Sequence, residues 1–339
     1  MMAGRDTNAG SLADIPEQMH ELLRAFVAEA APDPGPYYQP LSTDEISNST
    51  PAAIAKALRF LSYLTAPVPR QAAVLDMGSG YGLNCILLGL LGFRSVMGVE
   101  MVESLYRDSR LLLDFARARL PYDLSAVSVQ QGDIQDLTFP DSSFDCALCI
   151  EVISHVVSQD ALLREANRLL TKNGILVLSD GCNITCPKAH QHFLEAWSRV
   201  RAEEMDKRLA FLADRCPDLD AGTRESVAIR TELLGREALE ELLPRIASGD
   251  ELPDRRWKEG TAPVYFESGI WAENGIELPE LERRLERHGF SSRVVISYGG
   301  CRGPAYRAAE MCLNLLPKRI RYRTRPVFRC WARKTGTRS

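Results

Sequence analysis

Val74-Leu75-Asp76-Met77-Gly78-Ser79-Gly80-Tyr81-Gly82 decides the fold of this chain. A short apolar run ends on an acid and breaks into glycines spaced G-x-G-x-G. Glycines let a backbone turn sharply from strand into helix and let a ligand approach it closely. The helix that follows offers free N–H groups at its start, which favour a negative group. The spacing narrows the ligand. A dinucleotide fingerprint wants G-x-G-x-x-G, and its third glycine position is Leu83 here. A carboxylate at Asp76 would also repel a pyrophosphate. The segment reads either as a tight turn with no ligand or as a cradle for a ligand without phosphate.

Working outward, apolar runs and helical periodicity alternate. Strands are expected at Ala73–Asp76, Ser95–Glu100, Ala126–Val129, Phe144–Ile150 and Ile175–Leu178. Helices are expected at Cys85–Leu91, Ser104–Leu120 and Asp160–Leu170. Such alternation implies right-handed βαβ units and a parallel sheet, with near-continuously apolar strands because helices cover both faces. Upstream, Ile15–Ala30 carries apolar residues at helical spacing. Thr50 or Ser49 followed by Pro51 opens a second helix that runs to about Leu64. Residues 181–276 interrupt the rhythm with helical stretches at His190–Leu212 and Arg236–Leu243 and little strand signal. Leu278–His288, closed by Gly289, is a further helix. Val294–Ser297 and Val327–Ala332 complete a seven-stranded, mostly parallel α/β sheet. The division expected is a helical lid over 1–66, a Rossmann-like core over 67–180, a helical cap over 181–276 that chooses the acceptor, and completion of the core over 277–339.

The ordered motifs resemble the class I S-adenosylmethionine-dependent methyltransferases, in particular the small-molecule group. The resemblance covers roughly residues 70–180, with weaker support from 278–334. Val74 to Gly82 corresponds to the family's first motif. Glu100, 22 residues after Gly78, corresponds to the acid that takes both ribose hydroxyls. Gly132-Asp133-Ile134 matches the stretch where the acid holds the adenine amino group and the next residue packs on the ring. Asp133 also reads as a plain turn residue, and Glu100 as a solvated strand end. Phe139 to Asp145 and Leu169 to Gly174 match the runs into the fourth and fifth strands, with Asn-Gly where Pro-Gly-Gly is common. S-adenosyl-L-methionine carries an ammonium, a sulfonium and ribose hydroxyls but no phosphate, so it is compatible with Asp76. The resemblance implies a cofactor shell of Asp76, Gly78, Ser79, Gly80 and Gly82 from the first loop. Glu100, Met101, Asp133, Ile134 and Glu151 complete that shell.

Methyl transfer is an in-line displacement on an already activated carbon, so the protein mainly positions the acceptor. A hydroxyl acceptor also needs a base. His155 follows the fourth strand and falls at the carboxyl edge of the sheet, where α/β sites form. Its side chain suits a general base. Asp180, ending the fifth strand, is a candidate partner that orients it, as in some resembled sugar and natural-product O-methyltransferases. His155 reads equally as a packed residue, and Asp180 as a cap. His190 and His192 could line an acceptor pocket but fit a solvated helix face better. Tyr37 and Tyr38 could close over the cofactor from the lid. The expected function is methylation of a small-molecule hydroxyl, with N- or C-methylation without a protein base as the alternative. From other classes, a nicotinamide-dependent oxidoreductase and a non-catalytic binding protein remain in view. Leu83 and Asp76 speak against the oxidoreductase.

Lys plus Arg is 41 against 45 for Asp plus Glu, a net charge of −4, which makes the chain a poor general binder of nucleic acid. Cys146 and Cys149 mimic a metal pair, but residues three apart on a strand face opposite ways, so no metal is expected. Nine scattered cysteines and the lack of a leader-like start suit a reducing cytoplasm. No stretch is long enough for stable membrane insertion. Lys318 to Arg338 holds nine cations and no acid, read as a solvated final hairpin, with an anionic substrate or membrane surface as the lesser reading. Oligomeric state stays open, a homodimer being one option.

Overall fold

The computed structural model describes residues 13–30, 49–156, 158–258, 261–267, 269, 272–298 and 304–335. Tyr37 and Tyr38 lie outside them. Seven strands form one sheet: β1 (Ala73–Met77), β2 (Ser95–Glu100), β3 (Val127–Gln131), β4 (Phe144–Ile150), β5 (Leu170–Asp180), β6 (Phe290–Ile296) and β7 (Phe328–Lys334). Their spatial order is β3-β2-β1-β4-β5-β7-β6. The first five are parallel, and β7 runs antiparallel to both β5 and β6. The mostly parallel seven-stranded Rossmann-like sheet expected from the sequence is therefore present. Strand order reverses between β1 and β4, the kind of switch point at whose carboxyl strand ends α/β sheets bind their ligands.

Alternation along each strand divides the core into two layers. Leu75, Met77, Ala147, Cys149, Leu176 and Leu178 point into one. Val74, Cys146, Leu148, Ile175 and Val177 point into the other. Cys146 and Cys149 thus sit on opposite faces, and burial pushes both thiols up. The first layer is closed by α5 (Gln159–Leu169) and α10 (Leu278–Arg287), the second by α3 (Leu83–Leu90) and α4 (Glu103–Arg119).

The two N-terminal helices belong to that second layer, which corrects their reading as a lid. Helix α1 (Ile15–Ala30) buries Ile15, Met19, Leu22, Leu23 and Phe26, and α2 (Pro51–Leu64) buries Ile54, Leu61 and Leu64 in the same core. Each such side chain stabilises by about 1.5–3 kcal/mol, enough to hold the helices as permanent structure. The start of α2 is as read: the Thr50 hydroxyl accepts a hydrogen bond from the Ala53 N–H, with Pro51 in the first turn. Its far end is pinned to β7, where Trp331 Nε1 donates to the Leu64 carbonyl at 2.8 Å.

Between β5 and α10 the chain leaves the carboxyl edge of the sheet as α6 (Pro187–Arg215), α7 (Ala221–Arg230), α8 (Arg236–Glu240) and α9 (Leu243–Ser248). The single helix expected over Arg236–Leu243 is two short ones, since Pro244 removes an amide that a continuous helix would use. These helices enclose a small core of their own around Phe211, Leu212, Leu239 and Phe266.

The connection from β6 to β7 corrects the expected final hairpin. It is long and helical, with α11 (Pro304–Leu315) and α12 (Lys318–Arg321). Arg329, counted in the basic run as solvated, is buried and stacks on Phe60 and Tyr63 of α2.

Candidate active site

The glycine loop is built as its sequence demands. Gly78, Gly80 and Gly82 have φ of +77°, +52° and +73°, values that side-chain-bearing residues rarely adopt. The N–H groups of Gly78 and Ser79 both donate to the Val99 carbonyl at 2.9 Å, so the loop folds back over β2. A Cβ at Gly78 would come within 2.7 Å of a Val152 methyl, so this glycine lets the loop after β1 nest against the turn after β4.

Glu100 locks the loop. One carboxylate oxygen accepts the Gly80 N–H at 2.9 Å, and the other accepts the Val102 N–H at 2.9 Å. Each oxygen keeps lone-pair capacity for a ligand hydroxyl. Burial pushes the carboxyl above its ordinary range, partly offset by those backbone donors. Asp76 lies fully buried beneath. Desolvation, with a smaller push from nearby Glu100, drives its carboxyl up to about 7 despite a hydrogen bond from Cys85. Two crowded acids under one loop favour arrival of a cation.

Asp133 is exposed and its carboxylate turns back onto Gln135, accepting from the backbone N–H at 2.9 Å and from the side-chain amide. It is therefore a turn residue in this state, whatever else it contacts. Ile134 is buried in the core beside it, and Met101 is half exposed at the edge. Gly132 N–H donates to the Glu100 carbonyl at 3.1 Å, which keeps the two strand ends together.

On the other side of the switch point, Glu151 has φ of +54°, strained for a residue with a side chain. Its carboxylate accepts the Gly181 N–H at 3.2 Å. Partial desolvation, then the charges of Asp180 and Glu273, push it up to about 7. Asp180 does not meet the His155 ring, which corrects the expected pair. It is fully buried and accepts the N–H groups of Cys182 at 2.9 Å and Ser154 at 3.4 Å. Those amides leave the sheet unpaired at two sharp turns, and a buried carboxylate is their natural acceptor.

The carboxylate that faces His155 is Glu273, with Oε1 4.0 Å from Nε2. It arrives on a strap, residues 272–276, laid across both strand exits. Asn274 N–H donates to the Ser154 carbonyl at 2.7 Å, and Ile276 N–H to the Cys182 carbonyl at 2.7 Å. Trp197 Nε1 on α6 holds the Glu273 carbonyl at 2.8 Å. Gly275 permits the approach: a Cβ there would lie 2.5 Å from Ile184. Nothing in local periodicity marks Glu273, and Gly275 is the one signal that could have drawn attention to the strap. His190 and His192 are exposed on α6. Among the described residues, no group of three or more His, Cys, Asp or Glu side chains could hold a metal ion.

Residues 75–178 match the model of the methyltransferase domain family. The chain is 38% identical over 112 residues to an arsenite methyltransferase of Aquipseudomonas alcaligenes, covering 32% of each protein. It is 34% identical over 106 residues to a ubiquinone biosynthesis O-methyltransferase of Bradyrhizobium diazoefficiens, covering 31% of this chain and 38% of that one. A 37.1 kDa protein in transposon Tn4556 of Streptomyces fradiae is 27% identical over 273 residues, 74% of this chain and 73% of that one. The matches to the two named methyltransferases thus span about a third of those proteins' length.

The fit to the cofactor rests on the loop itself. A Cβ added at Gly80 would meet nothing within 4 Å, so the face beside the Glu100 carboxylate is open to a ligand. Glu100 would hold ribose hydroxyls there, and the acids around it suit a cationic compound without phosphate. Residues 75–178 thus carry a methyltransferase domain on a Rossmann-like sheet, and S-adenosyl-L-methionine is the cofactor that its loop and acids fit.

Proposed function

We propose that this protein transfers a methyl group from S-adenosylmethionine to a hydroxyl of a small-molecule acceptor, with His155 as general base. The observation that carries the reading is His155 at the carboxyl edge of the sheet, in the turn whose Val152 packs on the glycine loop, with the Glu273 carboxylate 4.0 Å from its ring. S-adenosylmethionine supplies a methyl group already activated on a sulfonium. The protein's task is then to hold the acceptor oxygen in line and take its proton. The acceptor O–H gives its proton to Nδ1 of His155, the ring nitrogen that Glu273 does not face, as the oxygen–methyl bond forms and the methyl–sulfur bond breaks. Glu273 orients the ring and stabilises the imidazolium. It replaces Asp180, whose oxygens are used by backbone amides.

Helices α6 to α9 would cover the acceptor as a cap, with Trp197 fixing the strap that carries Glu273. A hydroxyl is also what the ubiquinone relative's name records for that protein. A second reading has its own support. Glu151 and Glu273 make the carboxyl edge acidic, which would attract an ammonium that loses its proton to solvent before attack, so that N-methylation needs no protein base.

The test is a screen of phenolic, sugar and amine acceptors for S-adenosylhomocysteine formation, followed by His155→Ala on the best acceptor. A base should lose about 10²–10⁴-fold in kcat with unchanged cofactor affinity. Activity that survives the substitution on an amine acceptor would replace the hydroxyl reading with the amine one.

A further inference from the structure

One surface lies outside the methyl-transfer machinery and has a character of its own. The connection between β6 and β7, residues 304–325, exposes a row of large apolar side chains. Met311 is 71% exposed, Leu315 85% and Ile320 54%, and Leu316 and Tyr306 are also exposed. Met311 and Leu315 lie four residues apart, one above the other on α11. The opposite side of α11 is fixed to the sheet edge. Asn314 accepts the Ile296 N–H and donates to the Ile296 carbonyl, and the Glu310 carboxylate accepts from Ser297 and Tyr298. The apolar row therefore faces outward because the polar side of the helix is already used.

Cations surround that row. Residues 304–325 hold Arg307, Lys318, Arg319, Arg321, Arg323 and Arg325 against the single acid Glu310, in a chain whose net charge is −4. Lys318 pairs with Glu282, Arg321 reaches the Asn314 carbonyl, and Arg325 lies over the Tyr298 ring. Arg307, Arg319 and Arg323 are exposed and make no ion pair among the described residues. Apolar side chains interleaved with unpaired cations on an outward helical face are the chemistry of an interfacial helix, which inserts its apolar row and holds anionic headgroups with its cations.

The location adds to this. Phe328, at the start of β7, pairs with Asp180 at the end of β5, and Ile296 at the end of β6 pairs with Phe328. The connection therefore leaves and rejoins the sheet at the edge that carries His155. Asn183, just beyond β5, donates to the Tyr322 and Arg325 carbonyls at 2.8 Å and ties the basic segment to the mouth of the site.

We infer that residues 304–325 dock this protein peripherally on an anionic lipid surface, with Met311, Leu315 and Ile320 inserted and Arg319 and Arg323 on the headgroups. Attachment is by contact alone; no helix among the described residues is long and apolar enough to cross a membrane. The occupant is an anionic lipid surface rather than a symmetric second copy of the chain because a two-fold contact would set the cations of this patch against themselves.

The test is co-sedimentation of the full chain with phosphatidylcholine vesicles that contain or lack phosphatidylglycerol, at low and at physiological salt. Binding is expected only with the anionic lipid and should weaken as salt rises. Arg319→Glu with Arg323→Glu should weaken it at least about tenfold, and Leu315→Ser with Ile320→Ser should weaken it similarly, because stable attachment takes both signals. Unchanged circular dichroism would show that the variants fold. Absence of binding to anionic vesicles, equal binding to neutral ones, or binding that neither pair of substitutions alters would overturn the inference. A dimer in solution that Leu315→Ser dissolves, with no vesicle binding, would assign the patch to a second copy instead.

Discussion

The two halves of the carboxyl edge are assembled in different ways. The cofactor half, from the glycine loop through Glu100 to Asp133, is made by neighbours in sequence. Its atoms are fixed by short turns that fold back on adjacent strands, such as Gly80 on Glu100 and Gly132 on the Glu100 carbonyl. The acceptor half is made by distant segments. His155 follows β4, and Glu273 reaches it from beyond the whole helical insert, on a strap pinned by Asn274, Ile276 and Trp197. The first half can be conserved as a binding unit while the second is rebuilt by changes in the insert. Beyond the β1–β4 ladder, Gly78 packed against Val152 is a place where the two halves meet.

The sharpest break between the halves is electrostatic. Asp76 is held at about 7, against 3.8 for an ordinary aspartate, by burial. Between pH 4 and pH 7 the folded chain retains a proton that the unfolded chain has released. The charge penalty therefore grows as pH rises through that window and levels off above it. A shift of that size corresponds to roughly 4 kcal/mol at most. Asp76→Asn should have little advantage over the parent below pH 4 and a growing one up to pH 8, read from thermal unfolding at several pH values. A difference that does not vary with pH would mean that Asp76 is ionised throughout.

Gly78→Ala tests the joint. Positive φ and the contact with Val152 together should cost about 1–3 kcal/mol, seen as a 10–100-fold weaker affinity for the adenosyl compounds. Adding Val152→Ala should recover only the part due to contact. Full recovery would show that backbone strain at Gly78 is negligible; no recovery would show that the halves do not communicate there.

The smallest expected effect is at Glu273. Glu273→Gln keeps the strap's backbone contacts and removes the charge that faces His155. Turnover should fall about tenfold, less than the loss expected when the base itself is removed. Cofactor affinity should not change. Unchanged turnover would remove Glu273 from the reaction and leave it a strap residue.

The same contrast explains what could be read without a structure. The strands and the glycine loop announce themselves because a buried parallel strand must be apolar and a sharp turn must be glycine. Glu273 does not, since its place is set by a strap bound to Ser154 and Cys182 rather than by any local period. Asp180 was misassigned because sequence shows an acid at a strand end but not which amides it satisfies. Helix α11 escaped for a different reason: its apolar row faces out and its polar row faces the sheet, which inverts the usual sign of periodicity. The N-terminal helices were legible as helices, yet only the buried Phe26 and the Trp331–Leu64 hydrogen bond reveal them as a layer.

The central claim is a cofactor site closed by Glu100, and calorimetric titration tests it most directly. The purified chain and its Glu100→Ala variant would be titrated with S-adenosylmethionine, S-adenosylhomocysteine and NAD. The account predicts saturable binding of both adenosyl compounds and none of NAD. Loss of two hydrogen bonds to a charged group should weaken the variant by about 100-fold or more. Binding of NAD alone, or adenosyl binding indifferent to Glu100→Ala, would contradict it.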